Sequence, residues 1–312
     1  MADDFQHVTV LLDAAVDALS VKPDGIYIDG TFGRGGHTRK IIEQLGAEGR
    51  LLVVDKDPQA IAVAKELYGD DPRVSIYHGS FAEFDQALAD AGWPQEVDGV
   101  LLDLGVSSPQ IDDGTRGFSF QRDGALDMRM NPEQGMSAAE WLATAKDTEI
   151  MDVLWKYGDE RFARRIVRQI IETRETEPLV TTMQLAKLIA GAVPRKFHGK
   201  KNPATKSFQA IRIFINQELA DLEKCLEDGA KALVMNGRMV VISFHSLEDR
   251  MVKRYFKAQS TPKPVPRGLP ILESDIELPF RTIGKAIKPS TDEVSENIRS
   301  RSSVMRILER KA

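Results

Sequence analysis

A cluster of glycines follows the first apolar run of the chain. The stretch GTFGRGGHTRKI, residues 30–41, lies between the strand-like run IYID (26–29) and a helix-like segment. Its glycines are Gly30, Gly33, Gly35 and Gly36. A dinucleotide loop needs Gly-x-Gly-x-x-Gly, but the residue three after Gly35 is Thr38, and no Gly-Lys-Ser/Thr of a P-loop occurs. The loop therefore predicts a close ligand that is neither a dinucleotide nor a nucleotide of the P-loop type.

Two carboxylates indicate the chemistry of that ligand. Asp29 stands just before the first glycine, and Asp55 ends the second apolar run, LLVVD (51–55). Asp55 is placed to accept hydrogen bonds from both hydroxyls of a ribose. A carboxylate repels a pyrophosphate but attracts a cation. A ligand with a ribose, no phosphate and a positive charge fits S-adenosylmethionine. The alternative is a tight turn with two surface carboxylates.

Three further residues follow later strand-like runs. Phe81 comes after VSIYH (74–78) and is placed to lie against an adenine ring, although packing in the core is nearly as good an explanation. Asp103 ends the fourth run and is expected at the reactive end of the cofactor. His245 follows RMVVISF (238–244) at the same edge of the sheet. Its two readings, as a catalyst or as the structural neighbour of a helix cap, weigh equally, because Ser246 and Asp249 predict a capping box for the next helix.

The elements that position these residues form a regular series. The runs IYID, LLVVD, VSIYH and GVLLDL recur every 23 to 25 residues with helix-like stretches between them. This spacing predicts βαβ units and a parallel sheet. The fifth run begins about 140 residues after the fourth, and the stretch between them reads as helical. We therefore predict an α/β fold with an inserted all-helical domain, divided as residues 1–110, 111–207 and 208–312.

The charge of the predicted insert is strongly one-sided. The whole chain has a net charge of −5, but residues 161–212 hold 12 Lys or Arg against three Glu. This stretch includes the basic loop PRKFHGKKNPATK (194–206). Such an excess predicts an anionic polymer as partner, and solvated helix faces are the alternative. The candidate RNA-binding residues of the loop are Arg195, Lys196, Lys200 and Lys201.

Other features exclude some classes of protein. Cys225 is the only cysteine, which rules out an internal disulfide and a cysteine-rich metal site, and no ligand cluster for a metal stands out. No apolar stretch approaches the roughly 18 residues of a membrane span. The start, MADDFQHVTV, lacks the features of a signal peptide. We therefore expect a cytoplasmic protein with no membrane partner, and we assign no metal site, although the metal requirement and the oligomeric state stay open.

Several long blocks resemble the bacterial ribosomal RNA small subunit methyltransferase H family. They are HVTVLLDAAVDAL, DGTFGRGGHT, DLGVSSPQ, RGFSFQRDGALDMRM, FQAIRIFINQEL and SFHSLEDRMVKR, and they run from His7 to about Arg306. The resemblance implies a Rossmann-like S-adenosylmethionine-dependent methyltransferase sheet split by a substrate-binding insert. It implies an enzyme that methylates N4 of a cytidine in the decoding region of 16S rRNA, with the RNA of the small ribosomal subunit as its partner and not DNA. Whether the substrate is free rRNA or the assembled subunit stays open. It also implies cofactor contacts at Gly35, Gly36, His37, Asp55, Phe81, Asp103 and Gln110.

Direct methylation of an exocyclic amine needs no covalent step, whereas methylation at carbon 5 of cytosine needs a thiolate. Cys225 lies at helical spacing with Leu222 and Leu226 and is expected in the core. Amino methyltransferases generally carry Ser/Asp/Asn-Pro-Pro-aromatic after the fourth strand, but the stretch SSPQ lacks the second proline and the aromatic. The residue that stacks on the base is therefore open, with Phe118, Phe120 and Trp141 as candidates beside a core role for each.

Asp103 is expected either to fix the methionine end of the cofactor or to accept a hydrogen from the cytosine amine. A loop-capping role for this carboxylate is the structural alternative. The rival functions are a nicotinamide-dependent dehydrogenase, a non-catalytic RNA-binding protein, and a methyltransferase acting on another RNA. The broken glycine pattern argues against the first, and the second leaves Asp103 without a purpose.

Overall fold

The computed structural model describes residues 9–199, 202–262 and 278–311. Lys200 and Lys201, two of the predicted RNA contacts, lie outside the described residues. The chain divides into two compact units, one formed by Met1–Gly105 with Ala220–Ala312 and the other by Val106–Leu219. The sequence predicted the two boundaries after residues 110 and 207, and the compact units divide after residues 105 and 219.

The first segment alternates helices and strands. In chain order its elements are α1 (Leu12–Leu19), β1 (Ile26–Asp29), α2 (Gly36–Ile42), β2 (Arg50–Asp55), α3 (Pro58–Tyr68), β3 (Val74–His78), a 3₁₀ turn (Phe81–Glu83), α4 (Phe84–Asp90) and β4 (Val97–Asp103). The middle of β2 and most of β4 are buried, and these buried residues are Val and Leu apart from Gly99. Continuous apolar strands of this kind are typical of a parallel sheet covered on both faces.

The inserted unit is helical. Its elements are α5 (Ser108–Asp112), a 3₁₀ turn (Gly114–Arg116), α6 (Ala138–Thr144), α7 (Asp147–Gly158), α8 (Ala163–Arg174), α9 (Thr182–Ala192), a 3₁₀ turn (Arg195–Phe197) and α10 (Thr205–Ile215). The apolar faces of α6 to α10 supply one core, with Ile150, Leu154, Ile166 and Ile211 among its fully buried residues. The unit therefore has a hydrophobic core of its own.

The last segment returns the chain to the sheet. It contains α11 (Glu218–Ala232), β5 (Leu233–Ser243), α12 (Ser246–Ser260), β6 (Phe280–Thr282), α13 (Thr291–Glu296), a 3₁₀ turn (Ile298–Ser302) and β7 (Val304–Arg310). The helical pattern of residues 207–233 is not one continuous helix, because the helix is interrupted between α10 and α11. Gln217 there has a φ of 55°, in the left-handed region that ends helices. None of the helices in the described ranges is both long enough and apolar enough to span a membrane.

The sheet confirms the predicted α/β fold. The described strands form one seven-stranded sheet in the order β3-β2-β1-β4-β5-β7-β6. Strands β1 to β5 are parallel, as expected, and β7 pairs antiparallel with both β5 and β6. The chain runs outward from β1 to β3 and then returns to β4 on the other side of β1. This reversal is a topological switch point, where ligands of open parallel sheets bind at the carboxyl ends of the strands.

Candidate active site

The carboxyl ends of the three neighbouring strands β2, β1 and β4 carry one aspartate each. Asp55 ends β2, Asp29 ends β1 and Asp103 ends β4. The register pairs Asp29 with Val53 on one side and with Leu101 on the other, so the three acids lie at one edge of the sheet. This edge is the switch point, and the sequence-predicted acids therefore meet where a ligand is expected.

Asp55 holds the glycine loop. Its Oδ2 accepts a hydrogen bond from the Gly33 N–H at 2.8 Å, and its Oδ1 accepts one from the Asp57 N–H at 2.8 Å. Burial raises the pKa of Asp55 to about 6, although both backbone hydrogen bonds lower it. Each carboxylate oxygen can accept a further hydrogen bond. Above pH 6, Asp55 is therefore able to serve two ligand hydroxyls while it anchors the loop.

The glycines of the loop differ in what they make room for. A Cβ at Gly30 would lie 2.6 Å from Leu102 Cδ2 and 2.9 Å from Phe81 Cβ, so this glycine permits close packing within the protein. Gly36 and Gly35 are similarly crowded, by Thr9 and Phe32. Gly33 has a φ of 56°, and the nearest described atom to a Cβ added there is the Thr31 carbonyl oxygen, at 4.0 Å. Of the four, only Gly33 leaves its Cβ direction open.

Asp29 has a structural role that the sequence did not indicate. It is fully buried, and it accepts hydrogen bonds from the Thr38 hydroxyl at 2.6 Å and from the Thr31 N–H at 3.2 Å. Burial raises its pKa to about 6. The Thr31 hydroxyl in turn accepts a hydrogen bond from the Asp103 N–H at 2.6 Å. Asp29 therefore fastens the loop that follows β1, and Thr31 links that loop to the end of β4.

Asp103 is the least compensated of the three acids. Its side chain is 21% exposed, and its Oδ1 is buried without a hydrogen-bond partner among the described residues. Its Oδ2 lies 3.9 Å from His37 Nδ1, too far for a hydrogen bond. Burial raises the pKa of Asp103 well above its usual value, and the nearby charges of Asp29 and Glu248 raise it further. A carboxylate in this state is suited to a cationic ligand.

His245 caps the helix that follows β5. The predicted capping box of Ser246 and Asp249 is wrong by one residue, because His245 itself is the N-cap and Glu248 its partner. His245 Nδ1 accepts from the Glu248 N–H at 3.4 Å, and the Glu248 carboxylate accepts from the backbone N–H groups of Phe244 and His245. Asp249 instead pairs with Arg306 at 2.7 Å. His245 thus has a structural function at the sheet edge.

The loop after β3 is fastened by residues that the sequence did not single out. Phe81 is partly buried and begins the 3₁₀ turn, which Ser80 caps. The Ser80 hydroxyl donates to Asp221 at 2.6 Å, and Lys56 pairs with the same carboxylate at 2.5 Å. Asp221 therefore ties the loops after β2 and β3 to α11, which fixes the backbone around Asp55 and Phe81.

In the inserted unit, Ser107 is the N-cap of α5 and Gln110 completes the capping box. The Gln110 side-chain oxygen accepts a hydrogen bond from the Ser107 N–H at 2.9 Å.

The three aromatic candidates for stacking on the base lie in the same unit. Trp141 is buried in the helical core and its indole N–H donates to Glu149 at 2.8 Å. Phe120 packs edge-to-face on Phe208, with ring centroids 4.8 Å apart. Phe118 is half-buried. Core packing thus accounts for Trp141 and in large part for Phe120.

The described part of the basic loop combines cations with exposed aromatic surface. Arg195 and Lys196 lie in a 3₁₀ turn with Phe197. The Arg161 guanidinium lies 4.9 Å and the Lys196 ammonium 5.3 Å from the centroid of the Phe197 ring. Stacked cations of this kind keep their charge available to phosphates.

Comparisons with known proteins place these observations in a family. The sequence model of the MraW methylase family matches residues 4–311. Over 305 residues the chain is 55% identical to the ribosomal RNA small subunit methyltransferase H of Marinomonas sp. (strain MWYL1), covering 98% of this chain and 97% of the relative. Among solved structures, an rRNA methylase from Streptococcus thermophilus has a TM-score of 0.44 and 9% identity, covering 98% of this chain and 99% of its own.

Proposed function

Because the chain belongs to the MraW methylase family, we propose that it transfers a methyl group from S-adenosylmethionine to N4 of a specific cytidine in the decoding region of 16S rRNA. The substrate is inferred from the resemblance of the sequence blocks and from the name of the 55% identical relative. The inserted helical unit serves in this proposal as the substrate-binding domain. The enzyme acts in the cytoplasm, on the small ribosomal subunit or its RNA.

The residues at the sheet edge fit this cofactor. Asp55 has two oxygens with spare lone pairs for the ribose hydroxyls, and the backbone at Gly33 borders open space. Asp103 offers a buried oxygen without a partner in the described structure, which suits a positively charged group. S-adenosylmethionine, when bound, supplies an electrophilic methyl group on a positively charged sulfur. Gly35, Gly36, His37, Phe81 and Gln110 complete the set of cofactor contacts that we propose from the family resemblance.

The chain's own residues favour direct transfer to an amine. Cys225 is buried in α11, and burial strongly raises the pKa of its thiol, so it is not a nucleophile. The N4 lone pair of cytosine is delocalised into the ring and becomes nucleophilic only as it localises on nitrogen. Asp103 accepts a hydrogen bond from the amine in this step, or holds the cationic end of the cofactor. An ionised carboxylate there stabilises the charge that develops on nitrogen, and the leaving proton passes to solvent.

The observation that carries the proposal is the Oδ1 of Asp103 at the switch point, which is buried and has no hydrogen-bond partner among the residues that the structure describes. A dehydrogenase would not need a carboxylate there, and its dinucleotide pattern is broken. A non-catalytic RNA-binding protein would gain nothing from a buried, uncompensated charge, which lowers stability. Retention of such a group against its cost indicates a function.

The proposal is tested by incubating the protein and labelled S-adenosylmethionine with unmodified 16S rRNA and, separately, with assembled small subunits. The RNA is then digested to nucleosides and analysed by mass spectrometry. We expect N4-methylcytidine in at least one of the two substrates. Label on carbon 5, on another base or only on another RNA would contradict the proposed specificity. RNA binding without any transfer would support the non-catalytic alternative.

A further inference from the structure

Helix α12 carries four cations on one side. Arg250, Lys253, Arg254 and Lys257 are spaced i, i+3, i+4 and i+7, which places them within one face of an α-helix. All four are exposed. Val252 and Phe256, on the opposite side of the helix, are fully buried against the sheet unit. The packing of α12 therefore turns this set of side chains, which we call the α12 basic face, toward solvent.

The α12 basic face has no counter-charges in the described structure. Within residues 9–199, 202–262 and 278–311, none of its four side chains forms an ion pair or a hydrogen bond. The two acids of α12 are engaged elsewhere, Glu248 in the helix cap and Asp249 with Arg306. On α8, by contrast, the exposed Arg168 pairs with Glu172 one turn away.

The location of the α12 basic face connects it with the site. The cap of α12 is His245, two residues after the end of β5, and β5 pairs with β4 so that Ile242 lies opposite Asp103. The helix therefore begins at the sheet edge that holds the candidate active site. From Arg250 to Lys257 the face extends along the axis for about 10 Å, at 1.5 Å per residue. It is a stripe of positive charge on a protein whose net charge is −5.

We propose that the α12 basic face binds the phosphate backbone of the RNA next to the target nucleotide. This inference rests on the proposed function, because it assumes that the substrate is RNA. It adds a second cationic surface, on the sheet unit, to the basic loop of the inserted unit. Spaced exposed cations without acids between them match a chain of phosphates, since each contact releases counterions and carries no sequence preference. The face thus positions the strand, while other residues select the base.

The test compares two double variants of the full chain. Lys253→Gln with Lys257→Gln removes two charges from the α12 basic face, and Gln keeps a good helix propensity. Lys65→Gln with Lys231→Gln removes two exposed charges from α3 and α11, of which Lys231 is paired with Asp228, and is the control for a loss of two positive charges elsewhere on the surface. Binding of unmodified 16S rRNA is measured for both and for the parent over a range of salt concentrations. Calorimetry with S-adenosylmethionine confirms that the site has survived.

We expect the α12 variant to lose about fivefold in RNA affinity per contact near 0.1 M salt, and its salt slope to flatten by about 0.7 per contact. The control and the cofactor affinity should stay at parental values. Parental RNA affinity and slope in the α12 variant would overturn the inference, as would an equal loss in the control. If the inference fails but the parent protein still methylates 16S rRNA, the proposed function stands. A parent protein that neither binds nor methylates 16S rRNA would refute both the inference and the proposed function.

Discussion

The substitution Asp103→Asn should slow methyl transfer without destabilising the folded protein. The Oδ1 of Asp103 is buried without a partner among the described residues, and its Oδ2 lies 3.9 Å from His37 Nδ1. The substitution therefore breaks no side-chain hydrogen bond of Asp103 in the described part of the chain while it removes a negative charge. A hydrogen bond to a charged group contributes about 1.5–3 kcal/mol. If that interaction is made in the transition state, its loss slows transfer by about 10- to 150-fold, at 1.36 kcal/mol per tenfold.

The expected effect on stability has the opposite sign. Burial and the charges of Asp29 and Glu248 raise the pKa of Asp103 in the folded protein. The folded state therefore holds this proton more tightly than the unfolded chain. Its stabilising contribution is present at pH values below the unfolded pKa of about 3.9 and is lost as the pH rises through the folded pKa. At neutral pH, Asp103→Asn should accordingly leave Tm unchanged or raise it.

The assay is single-turnover methylation of 16S rRNA with S-adenosylmethionine saturating, together with thermal unfolding of the same samples. Asp13→Asn is the matched control, since Asp13 is 77% exposed on α1. A parental rate in Asp103→Asn would refute the catalytic role and move attention to His245. A clear fall in Tm would show instead that Asp103 holds the fold.

Four other substitutions or conditions test the site and the basic loop. Asp55→Ala should cost about 1.5–3 kcal/mol of cofactor binding by titration calorimetry, because charged hydrogen bonds are lost, and unchanged affinity would remove Asp55 from the site. The pKa of Asp55 is raised to about 6, so cofactor affinity should be constant above pH 7 and fall as the pH drops below 6, and this fall should be smaller in Asp55→Asn. Thr31→Val removes the acceptor of the Asp103 N–H and should cost about 1–3 kcal/mol in urea unfolding, so an unchanged midpoint would contradict that link. Alanine substitutions in the basic loop should flatten the salt dependence of RNA binding and leave cofactor affinity intact. The substituted residues are Arg195, Lys196, Lys200 and Lys201.

The sequence predicted the parallel part of the sheet because its strands are nearly continuous runs of Val, Ile and Leu. It did not predict β7, since Arg306 and Glu309 interrupt the apolar pattern of that strand. Both charges are satisfied by tertiary partners, Arg306 by Asp249 and Glu309 by Arg238. A strand that depends on distant ion pairs leaves only a weak local signal.

At the candidate site, the positions of Asp55 and Asp103 could be predicted because each residue ends a predicted strand. The hydrogen-bond partners of the three acids could not be predicted from the sequence. Asp29 read as a ligand-facing carboxylate, whereas the structure buries it against Thr31 and Thr38. An Asp two residues before a Thr is the one local signal, because this spacing favours a side-chain to backbone turn. The cap of α12 was misplaced by one residue because Ser is a more common N-cap than His.

The insertion between β4 and β5 also delays the pairing of these two strands during synthesis of the chain. These two strands are hydrogen-bonded neighbours, but Asp103 and Ser243, at their ends, are 140 positions apart in the chain. At about 5–20 residues per second, a ribosome needs roughly 7–28 s to make the intervening chain. For that period the nascent β4, apolar on both faces, has no partner on the side that β5 will occupy. An unpaired apolar strand edge is a site of aggregation, so we expect the nascent chain to be most prone to aggregation during this interval.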